Sequence, residues 1–288
     1  MRILLTGANG LLGSELQRTL LDQDLIPADQ PEFELTDDQL TQKIIEQRPD
    51  IIIHAAANTD VDGCERDPEN AMRINADGTR RVAQAAVQLR ARLVYLSTDY
   101  VFDGAKTQPY TETDATNPLN IYGCSKLKGE DEVLALCDKP LIIRTSWLYG
   151  LQGKNFVKTI LEAAATGSEL RVVEDQRGSP TYARELSGVI AELLRVGASG
   201  VIHACGEGVC SWHEFAGAIL DEMRIRCRNV PISTFDSPRL APRPRYSALS
   251  TARLQGYGIR LSPWRVALKR FLEDYASVQP HAAPAEGN

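Results

Sequence analysis

Residues 2–13 have the sequence RILLTGANGLLG, and this stretch decides the fold. Its first part, Arg2–Thr6, is short and rich in aliphatic side chains, which predicts a buried strand. Three glycines follow at a spacing of three, Gly7, Gly10 and Gly13, and a helical pattern begins among them. A glycine turn between a strand and a helix lets the backbone approach a pyrophosphate at the helix N-terminus. The stretch therefore predicts a dinucleotide-binding unit.

Short apolar runs alternate with helical patterns from this unit to about residue 146. Such alternation is typical of a parallel sheet with crossover helices. We predict an α/β fold, a Rossmann-type doubly wound parallel sheet with a smaller C-terminal α/β lobe that binds substrate. The further strands are predicted at Leu25–Ala28, Asp50–His54, Arg92–Ser97 and Pro140–Arg144, and the helices at Leu12–Leu20, Leu40–Ile45, Glu69–Leu89 and around Tyr122–Lys126.

The second half of the chain has a looser rhythm. We predict a dinucleotide-binding domain over residues 1–146, to which part of 183–203 returns, and a mainly substrate-binding lobe over 147–278. The tail, 279–288, is predicted to be disordered. Elements of the second half are predicted as helices at Asn155–Ala165, Glu185–Leu194, Trp212–Met223 and Trp264–Tyr275, a strand at Val201–His203 and an ordered loop at Pro231–Pro244.

The composition excludes several classes of protein. With 43% hydrophobic and 24% charged residues and a net charge of −6, the chain resembles an ordinary globule and lacks the basic balance of nucleic-acid or membrane-surface proteins. No apolar run approaches the roughly 20 residues of a membrane span. The six cysteines form no C-x-x-C pair and the four histidines are scattered, so we assign no metal ligand. No signal-peptide pattern precedes the first strand, and we expect a cytoplasmic protein without nucleic-acid or membrane partners.

Tyr122 and Lys126 form the candidate catalytic pair. Four residues apart on a helix, they share one face, so an ammonium can stabilise a phenolate that exchanges a proton with a carbonyl or alcohol. The ordinary pKa of tyrosine is about 10. We expect Lys126 and an oxidised nicotinamide to lower it. Thr98, at the end of the fourth strand, can donate a hydrogen bond to a substrate carbonyl. The spacing alone is common in helices, but together with the glycine turn it predicts a nicotinamide-dependent carbonyl reductase.

The ends of the second and third strands supply further candidates for the cofactor site. Asp29 ends the second strand, where an acid accepts the adenosine ribose hydroxyls, which favours NADH over NADPH. Glu32 or Glu34 could take the same role. The third strand ends in small residues, Ala55–Thr59, over which a flat cofactor can lie.

Further motifs extend over nearly the whole chain. They are GANGLLG at 7–13, AAANTDVDGCE at 55–65, INADGT at 74–79, STDYVFDG at 97–104, NPLNIYGCSKLKGE at 117–130, RTSWLYG at 144–150, NFVKT at 155–159, DQRGSPT at 175–181 and RPRYSAL at 243–249. In these motifs the chain resembles the extended short-chain dehydrogenase/reductase family. Within it, the chain is most similar to the reductases of dTDP-linked 4-dehydro-deoxysugars.

The resemblance implies NADPH- or NADH-dependent reduction of the C4 carbonyl of dTDP-4-dehydro-L-rhamnose to dTDP-L-rhamnose, for cell-surface polysaccharide. It implies that Tyr122 is the proton donor, Lys126 its partner and Thr98 the third catalytic residue. The predicted cofactor contacts are Gly7, Asn9, Gly10, Leu11, Leu12, Gly13, Asp29, Glu34, Leu35, Ala57, Asn58, Thr59, Tyr122 and Lys126. The predicted substrate contacts are Thr98, Asp99, Tyr100, Trp147, Arg177, Thr181 and Arg243.

The resemblance also bears on assembly. Some members of the family dimerise through Mg²⁺ held by acids, one of them in the last helix, and Glu273 could serve here. We therefore expect a monomer or a homodimer. The expected small-molecule partner is its substrate, a dTDP-sugar.

Three alternatives stay open. The first is a reductase or epimerase of another dTDP-4-keto-deoxysugar, since an epimerase needs only Thr98, Tyr122 and Lys126. The second is a nucleotide-sugar dehydratase, although those relatives carry Asp-Glu where this chain has Asp99-Tyr100. The third is a non-catalytic, dinucleotide-binding regulatory subunit of the kind that accompanies methionine adenosyltransferase.

Overall fold

The computed structural model of the protein describes residues 1–278, so the tail predicted to be disordered, 279–288, lies outside the described residues. The strands are β1 (Arg2–Thr6), β2 (Asp24–Ala28), β3 (Ile51–His54), β4 (Arg92–Thr98), β5 (Leu141–Thr145), β6 (Leu148–Tyr149), β7 (Glu169–Val173), β8 (Arg177–Gly178), β9 (Thr181–Tyr182), β10 (Gly200–His203), β11 (Cys210–Ser211) and β12 (Arg228–Ile232). The α-helices are α1 (Leu11–Thr19), α2 (Leu40–Gln47), α3 (Val61–Arg66), α4 (Pro68–Met72), α5 (Gly78–Leu89), α6 (Ile121–Leu136), α7 (Phe156–Thr166), α8 (Ala183–Arg195), α9 (Trp212–Glu222), α10 (Ala252–Gly256) and α11 (Trp264–Val278).

The central sheet has six parallel strands in the order β2-β1-β3-β4-β5-β10. The chain goes from β1 to one side for β2 and then to the other side for β3, so the strand order reverses between β1 and β3. Ligands of open α/β sheets bind at the carboxyl ends of the strands beside such a reversal. The predicted fold class is confirmed, and its topology places a binding cleft at this edge.

Both faces of the sheet are buried, which explains the almost continuous apolar runs of its strands. In β1, Ile3 and Leu5 pack in the cluster that includes residues of α1 and α8. Leu4, pointing the opposite way, packs in the cluster that includes residues of α2 and α5. The alternation of side chains along one strand therefore joins two cores.

Two elements from the second half of the chain complete this sheet. Strand β10 pairs in parallel with β5, and helix α8 packs against α1, where the hydroxyls of Thr19 and Ser187 lie 2.6 Å apart. A separate aromatic core, which includes Tyr149, Phe215 and Phe271, joins α7, α9 and α11. The division into residues 1–146 and 147–278 stays a prediction.

Two predicted elements differ from the structure. The loop predicted at Pro231–Pro244 begins later, because Arg228–Ile232 forms β12, which pairs with β7. The pair is a two-stranded sheet, and proline is tolerated on such an edge strand because its missing N–H need not pair. The helix predicted at Glu69–Leu89 contains a π-helical segment, Arg73–Asp77, between α4 and α5. Within residues 1–278, no helix combines the length and the apolarity that crossing a membrane requires.

Candidate active site

A cleft of about 880 Å³ runs along the carboxyl edge of the sheet. It brings together every predicted cofactor contact, although these residues come from the glycine turn, the strand ends and the start of α6. Four of the predicted substrate contacts also line the cleft, and they are Thr98, Asp99, Tyr100 and Trp147.

The glycine turn has the shape that a dinucleotide diphosphate requires. Gly7 has a φ of +70°, and a Cβ atom there would lie 2.7 Å from the Ala56 nitrogen. A Cβ on Gly10 would meet a single neighbour within 4 Å, the Gly7 carbonyl at 3.1 Å, so a side chain there would project into the cleft that Gly10 lines. Helix α1 begins directly after Gly10, without a side-chain cap or an acid in its first turn. Its first N–H groups are therefore available to an anion.

Asp29 ties the end of β2 to this turn. One carboxylate oxygen accepts a hydrogen bond of 2.7 Å from the backbone N–H of Asn9, and the other accepts one of 2.8 Å from Gln30. Glu34 lines the same part of the cleft. Of the described residues that line the cleft, the cations are Lys126 and Lys154, and neither belongs to this part of the chain. The end of the cleft at Asp29 and Glu34 is therefore acidic.

Two buried polar networks fix the loop that follows β3. His54 joins the hydroxyls of Thr6, at 2.7 Å, and Thr79, at 3.0 Å. Burial and the charge of Lys126 lower the pKa of His54 to about 3, so this imidazole is neutral. Its Nδ1 therefore ties the end of β3 to the end of β1, and its Nε2 ties it to α5, through ordinary hydrogen bonds.

The second network centres on Asn75, in the π-helical segment. Its side-chain oxygen accepts from the backbone N–H of Asn58 at 2.8 Å, and its amide donates to the carbonyl of Asn58 at 3.0 Å. The same amide donates to the Ser125 hydroxyl at 2.9 Å. Asn75 thus joins the cofactor side of the cleft to the helix that carries Tyr122, and the sequence analysis did not identify it.

Tyr122 and Lys126 lie in the first turns of α6, whose N-terminus is capped by the Asn120 side chain, a 2.8 Å acceptor for the N–H of Gly123. Lys126 is buried, with its Nζ 4.2 Å from the centroid of the Tyr95 ring. Burial lowers the pKa of Lys126 to about 7, against the opposing effect of the Glu130 carboxylate. The lysine is thus partly neutral near physiological pH.

The expected lowering of the Tyr122 pKa is not what the surrounding protein produces. Burial raises the pKa of Tyr122 well above its ordinary value; a hydrogen bond with the Thr98 side chain lowers it and the Asp99 carboxylate raises it further. Burial prevails because removing a phenolate from water costs more than that one hydrogen bond returns. The protein's own groups therefore keep Tyr122 protonated.

Thr98 and Asp99 form the floor of the cleft at this point. The Thr98 hydroxyl donates to Asp99 Oδ1 and accepts from the N–H of Tyr100, both at 3.1 Å. Asp99 is buried, and its Oδ2 has no hydrogen-bond partner within residues 1–278. Burial raises the pKa of Asp99 to about 7, while the hydroxyls of Ser247 and Thr98 act in the opposite direction. The Oδ2 atom of Asp99 is therefore a buried acceptor left unpaired by the described residues at the floor of the cleft.

A buried ion pair that the sequence analysis missed anchors the segments that carry the catalytic residues. Arg144 donates to both oxygens of Glu130, with its shortest contact at 2.6 Å, and the Ser97 hydroxyl donates to Glu130 at 2.5 Å. The side chains of Arg144 and Glu130 are only 5% and 1% exposed. Because Glu130 follows Lys126 by one helical turn and Ser97 precedes Thr98, this pair anchors both catalytic segments.

The opposite wall of the cleft consists of large side chains. Trp147, which follows β5, stacks face to face on Trp212 at the start of α9, with ring centroids 3.4 Å apart. Lys154 lies beside them in the lining. The sequence analysis missed Trp212 and Lys154 because both come from distant segments without a local motif.

Three predicted substrate contacts do not line the cleft. Arg177 pairs with Glu214 at 3.2 Å on the surface, and Arg243 pairs with Asp62 at 2.6 Å. The Thr181 hydroxyl is buried and accepts a hydrogen bond from the N–H of Gly206. The contacts of Arg177, Thr181 and Arg243 to a substrate stay predictions.

The other lining residues that were not predicted as contacts mostly follow strand ends or face the cleft from helices. Thr145 ends β5 and Ser146 follows it, where the strand-end rule could have found them. The remaining ones are Gln30, Phe33, Ala55, Ala56, Val61, Ile74, Leu96, Ser97 and Leu148.

The magnesium site implied by the resemblance has no support in the structure. Glu273 lines a surface pocket together with Arg184 and Arg270, and the neighbouring Asp274 is bound by Tyr182 and Arg184. Across residues 1–278, no three or more acids, histidines or cysteines gather as metal ligands.

A family model described as RmlD substrate binding domain matches residues 1–277. The chain belongs to this family. The predicted resemblance is thereby confirmed. Individual relatives also match this chain over nearly its whole length. The dTDP-4-dehydrorhamnose reductase of Aggregatibacter actinomycetemcomitans is 41% identical, over 93% of this chain and 97% of the relative. The spore coat polysaccharide biosynthesis protein SpsK of Bacillus subtilis is 39% identical, over 96% and 98%.

A solved structure agrees with this assignment. The crystal structure of dTDP-4-dehydrorhamnose reductase from Bacillus anthracis, in complex with NADP, superposes with a TM-score of 0.92. That chain is 41% identical, and the match covers 95% of this chain and 99% of the other. The RmlD fold of the present chain is thus similar from the glycine turn to the last helix.

Proposed function

We propose that this RmlD-family protein reduces the C4 carbonyl of dTDP-4-dehydro-L-rhamnose to the alcohol of dTDP-L-rhamnose, using NADH or NADPH. The observation that carries the proposal is the meeting of Tyr122, Lys126 and Thr98 with the glycine turn at one cleft. Each of these features is common alone, but a carbonyl reductase needs all of them within reach of one bound dinucleotide.

The glycine turn and the N-terminus of α1 fit the dinucleotide diphosphate, and the small residues after β3 fit a flat ring above the sheet edge. When bound, the reduced dinucleotide supplies the hydride for C4. Thr98 donates a hydrogen bond to the carbonyl oxygen and holds it in place. Tyr122 gives its proton to the same oxygen, and Lys126 stabilises the phenolate that is left.

The raised pKa of Tyr122 supports a role as proton donor. A group that gives a proton must hold it beforehand, and burial keeps the phenol protonated over the physiological range. The reverse reaction, oxidation of an alcohol, needs the phenolate as a base. The phenol is therefore held in the protonation state from which reduction starts.

The charges at the adenosine end favour NADH in this proposal. Asp29 and Glu34 are acidic, and a 2′-phosphate there would meet negative charge. The relative from Bacillus anthracis was crystallised with NADP.

The substrate contacts and the domain division form a further part of the proposal. Thr98, Asp99, Tyr100 and Trp147 line the cleft where a sugar would meet Tyr122. The lobe formed mainly by residues 147–278 would hold the nucleotide diphosphate. Whether the protein acts as a monomer or a homodimer does not affect this assignment, since all of these residues belong to one chain.

The direct test supplies dTDP-4-dehydro-L-rhamnose with NADH and with NADPH in separate reactions. We expect loss of the reduced-nicotinamide absorbance in step with formation of dTDP-L-rhamnose, and faster loss with NADH. Dinucleotide binding without oxidation would favour a regulatory subunit instead. Conversion of the sugar without net oxidation would favour an epimerase.

A further inference from the structure

Trp147 has an unusual backbone conformation, with a φ of +47°. A bulky residue in this left-handed region is strained, and such strain persists only where the surroundings impose it. Among the described residues with the same feature, Arg48 and Arg90 cap helix C-termini and Arg224 follows the end of α9. Trp147 differs from them because it lines the cleft.

Two neighbours, Trp212 and Gly178, confine the Trp147 side chain. The Trp147 indole lies against that of Trp212 with an angle of 4° between the ring planes, and Phe156 packs on Trp212 with centroids 4.5 Å apart. A Cβ on Gly178 would lie 2.5 Å from the Trp147 ring, so Gly178 leaves the space that this indole occupies. The two tryptophans are half-buried and face the cleft, outside the fully buried core.

The stack is not explained by packing preference alone. Aromatic rings prefer offset or edge-to-face arrangements over a face-to-face sandwich. Here a sandwich and a strained backbone coincide at one residue of the cleft. Such an arrangement holds the Trp147 indole at a defined place in the wall, between Trp212 and Gly178, and an apolar wall suits the C–H groups and the methyl group of a 6-deoxysugar.

We propose that Trp212 is a positioning residue that holds Trp147 as the sugar-side wall of the cleft, with Gly178 providing the space. The inference rests on the proposed function for the identity of the sugar. The pair determines how well the deoxysugar of the substrate is held, and it does not contact the dinucleotide.

The kinetic test compares Trp212→Ala with Trp212→Phe, which keeps an aromatic ring for stacking. Because aromatic pairs contribute modest energies, we expect Trp212→Ala to raise KM for the nucleotide-sugar about 3- to 10-fold. KM for the dinucleotide should not change, and Trp212→Phe should restore most of the loss. Gly178→Ala should raise the same KM, because its Cβ would displace the Trp147 ring. An unchanged nucleotide-sugar KM in Trp212→Ala, or an equal rise for the dinucleotide, would overturn the proposal.

A spectroscopic test does not depend on the reaction. The chain contains three tryptophans, and the third, Trp264, lies in the core of the lobe. In a Trp264→Phe background, both Trp212→Ala and Trp212→Phe leave Trp147 as the single fluorophore. We expect lower fluorescence anisotropy of Trp147 in the Ala variant than in the Phe variant. Equal anisotropy would mean that Trp212 does not hold Trp147.

The two tests separate the proposal from the proposed function. If the wild-type protein does not oxidise a dinucleotide, the affinity for dTDP-L-rhamnose, compared with that for dTDP, takes the place of KM. Loss of Trp147 anisotropy together with weaker binding of dTDP-L-rhamnose, but not of dTDP, in Trp212→Ala would then support positioning although the reaction assignment had failed. Normal reduction with unaltered KM and anisotropy would leave the function intact and reject the positioning role.

Discussion

The two walls of the cleft are built in different ways. The cofactor wall consists of backbone groups and small side chains from continuous runs, such as Gly7–Gly13 and Ala55–Thr59. The lobe wall consists of single large side chains, Trp147, Lys154 and Trp212, from three separate segments. Between them, Tyr122 and Lys126 stand on a helix that is tied to the sheet through Glu130 and Arg144.

The difference follows from what each wall has to bind. A diphosphate is recognised by backbone N–H groups, and backbone geometry depends on glycines at fixed spacing. A sugar is recognised by the shape of a pocket, which large side chains can form from any segment that reaches it. The cofactor wall can therefore be predicted from short local motifs, while the lobe wall depends on tertiary packing.

The largest effect is expected at the residue between the two walls. Tyr122→Phe removes the proton donor and leaves both walls in place. Turnover should fall by at least ~10²-fold, the scale of a lost general acid. The dinucleotide affinity, measured by fluorescence titration, should stay within about 2-fold, because one neutral hydrogen bond contributes little net energy.

A matched control for this change is Tyr257→Phe, which removes a hydroxyl from a half-exposed tyrosine after α10. It should leave turnover unaltered. Equal turnover in Tyr122→Phe and the wild type would refute the mechanism, and loss of dinucleotide binding would show that Tyr122 belongs to the cofactor wall.

The second-largest effect is expected at the buried Glu130–Arg144 ion pair, which anchors the catalytic segments. Glu130→Gln leaves the Arg144 guanidinium buried without its counter-charge. We expect the free energy of unfolding to fall by about 3 kcal/mol, since an uncompensated buried charge is costly. Denaturation in guanidinium chloride measures it.

The control is Glu132→Gln, two residues further along the same helix. The Glu132 carboxylate lies 3.4 Å from Lys128 Nζ, and the Lys128 side chain is largely exposed. Its cost should stay below about 1 kcal/mol, as for other surface pairs. If both variants lost the same small amount, the buried pair would not be the support of the site.

The third effect sharpens the account of the cofactor wall. Asp29→Ala removes an acceptor for the ribose hydroxyls and the anchor of the Asn9 N–H. We expect NADH to bind about 10-fold more weakly, the scale of a hydrogen bond to a charged group. NADPH should lose less, because the repulsion of its 2′-phosphate is relieved at the same time. Titration of both dinucleotides gives the two constants.

Asp29→Asn is the companion variant, which keeps the shape and removes the charge. It should shift the preference toward NADPH, while the amide oxygen can still accept the Asn9 N–H and only the bond from Gln30 is lost. Equal losses of NADH and NADPH in Asp29→Ala would show that Asp29 only anchors the turn and does not select the cofactor.

The sequence predicts the sheet well because its signals are local. The sequence predicts β1 with its observed bounds, and β2 to β5 within one residue at each end, since these strands contain short aliphatic runs. The two-residue strands β6, β8, β9 and β11 show no alternation, so no periodic pattern could indicate them. Therefore only the structure shows which face of the lobe lines the cleft.

The same limit applies to the chemistry of the site. Tyr122, Lys126 and Thr98 were identified from their spacing, but the direction of the Tyr122 pKa was not, because burial is a property of the fold. Likewise, Arg243 was predicted from a motif, while its ion pair with Asp62, distant in sequence, follows only from the packing of the loop on α3. Spacing reveals which groups are present, and packing decides in which state they are.

The smallest expected effect lies at Asp99, where the lobe wall meets the catalytic residues. Because burial raises the pKa of Asp99 to about 7, its carboxyl is mostly neutral at pH 6 and mostly charged at pH 8. The charged form opposes a substrate that carries a diphosphate, an effect of about 1 kcal/mol at moderate distance. KM for the nucleotide-sugar should therefore rise about 5-fold between these pH values in the wild type. In Asp99→Asn the KM should stay constant over the same pH range.

Lys126 also loses charge near pH 7, but the loss of this charge alters turnover and persists in Asp99→Asn. Initial rates over a pH series therefore separate the two groups. A KM that rises equally in both proteins would mean that the rise does not come from the titration of Asp99.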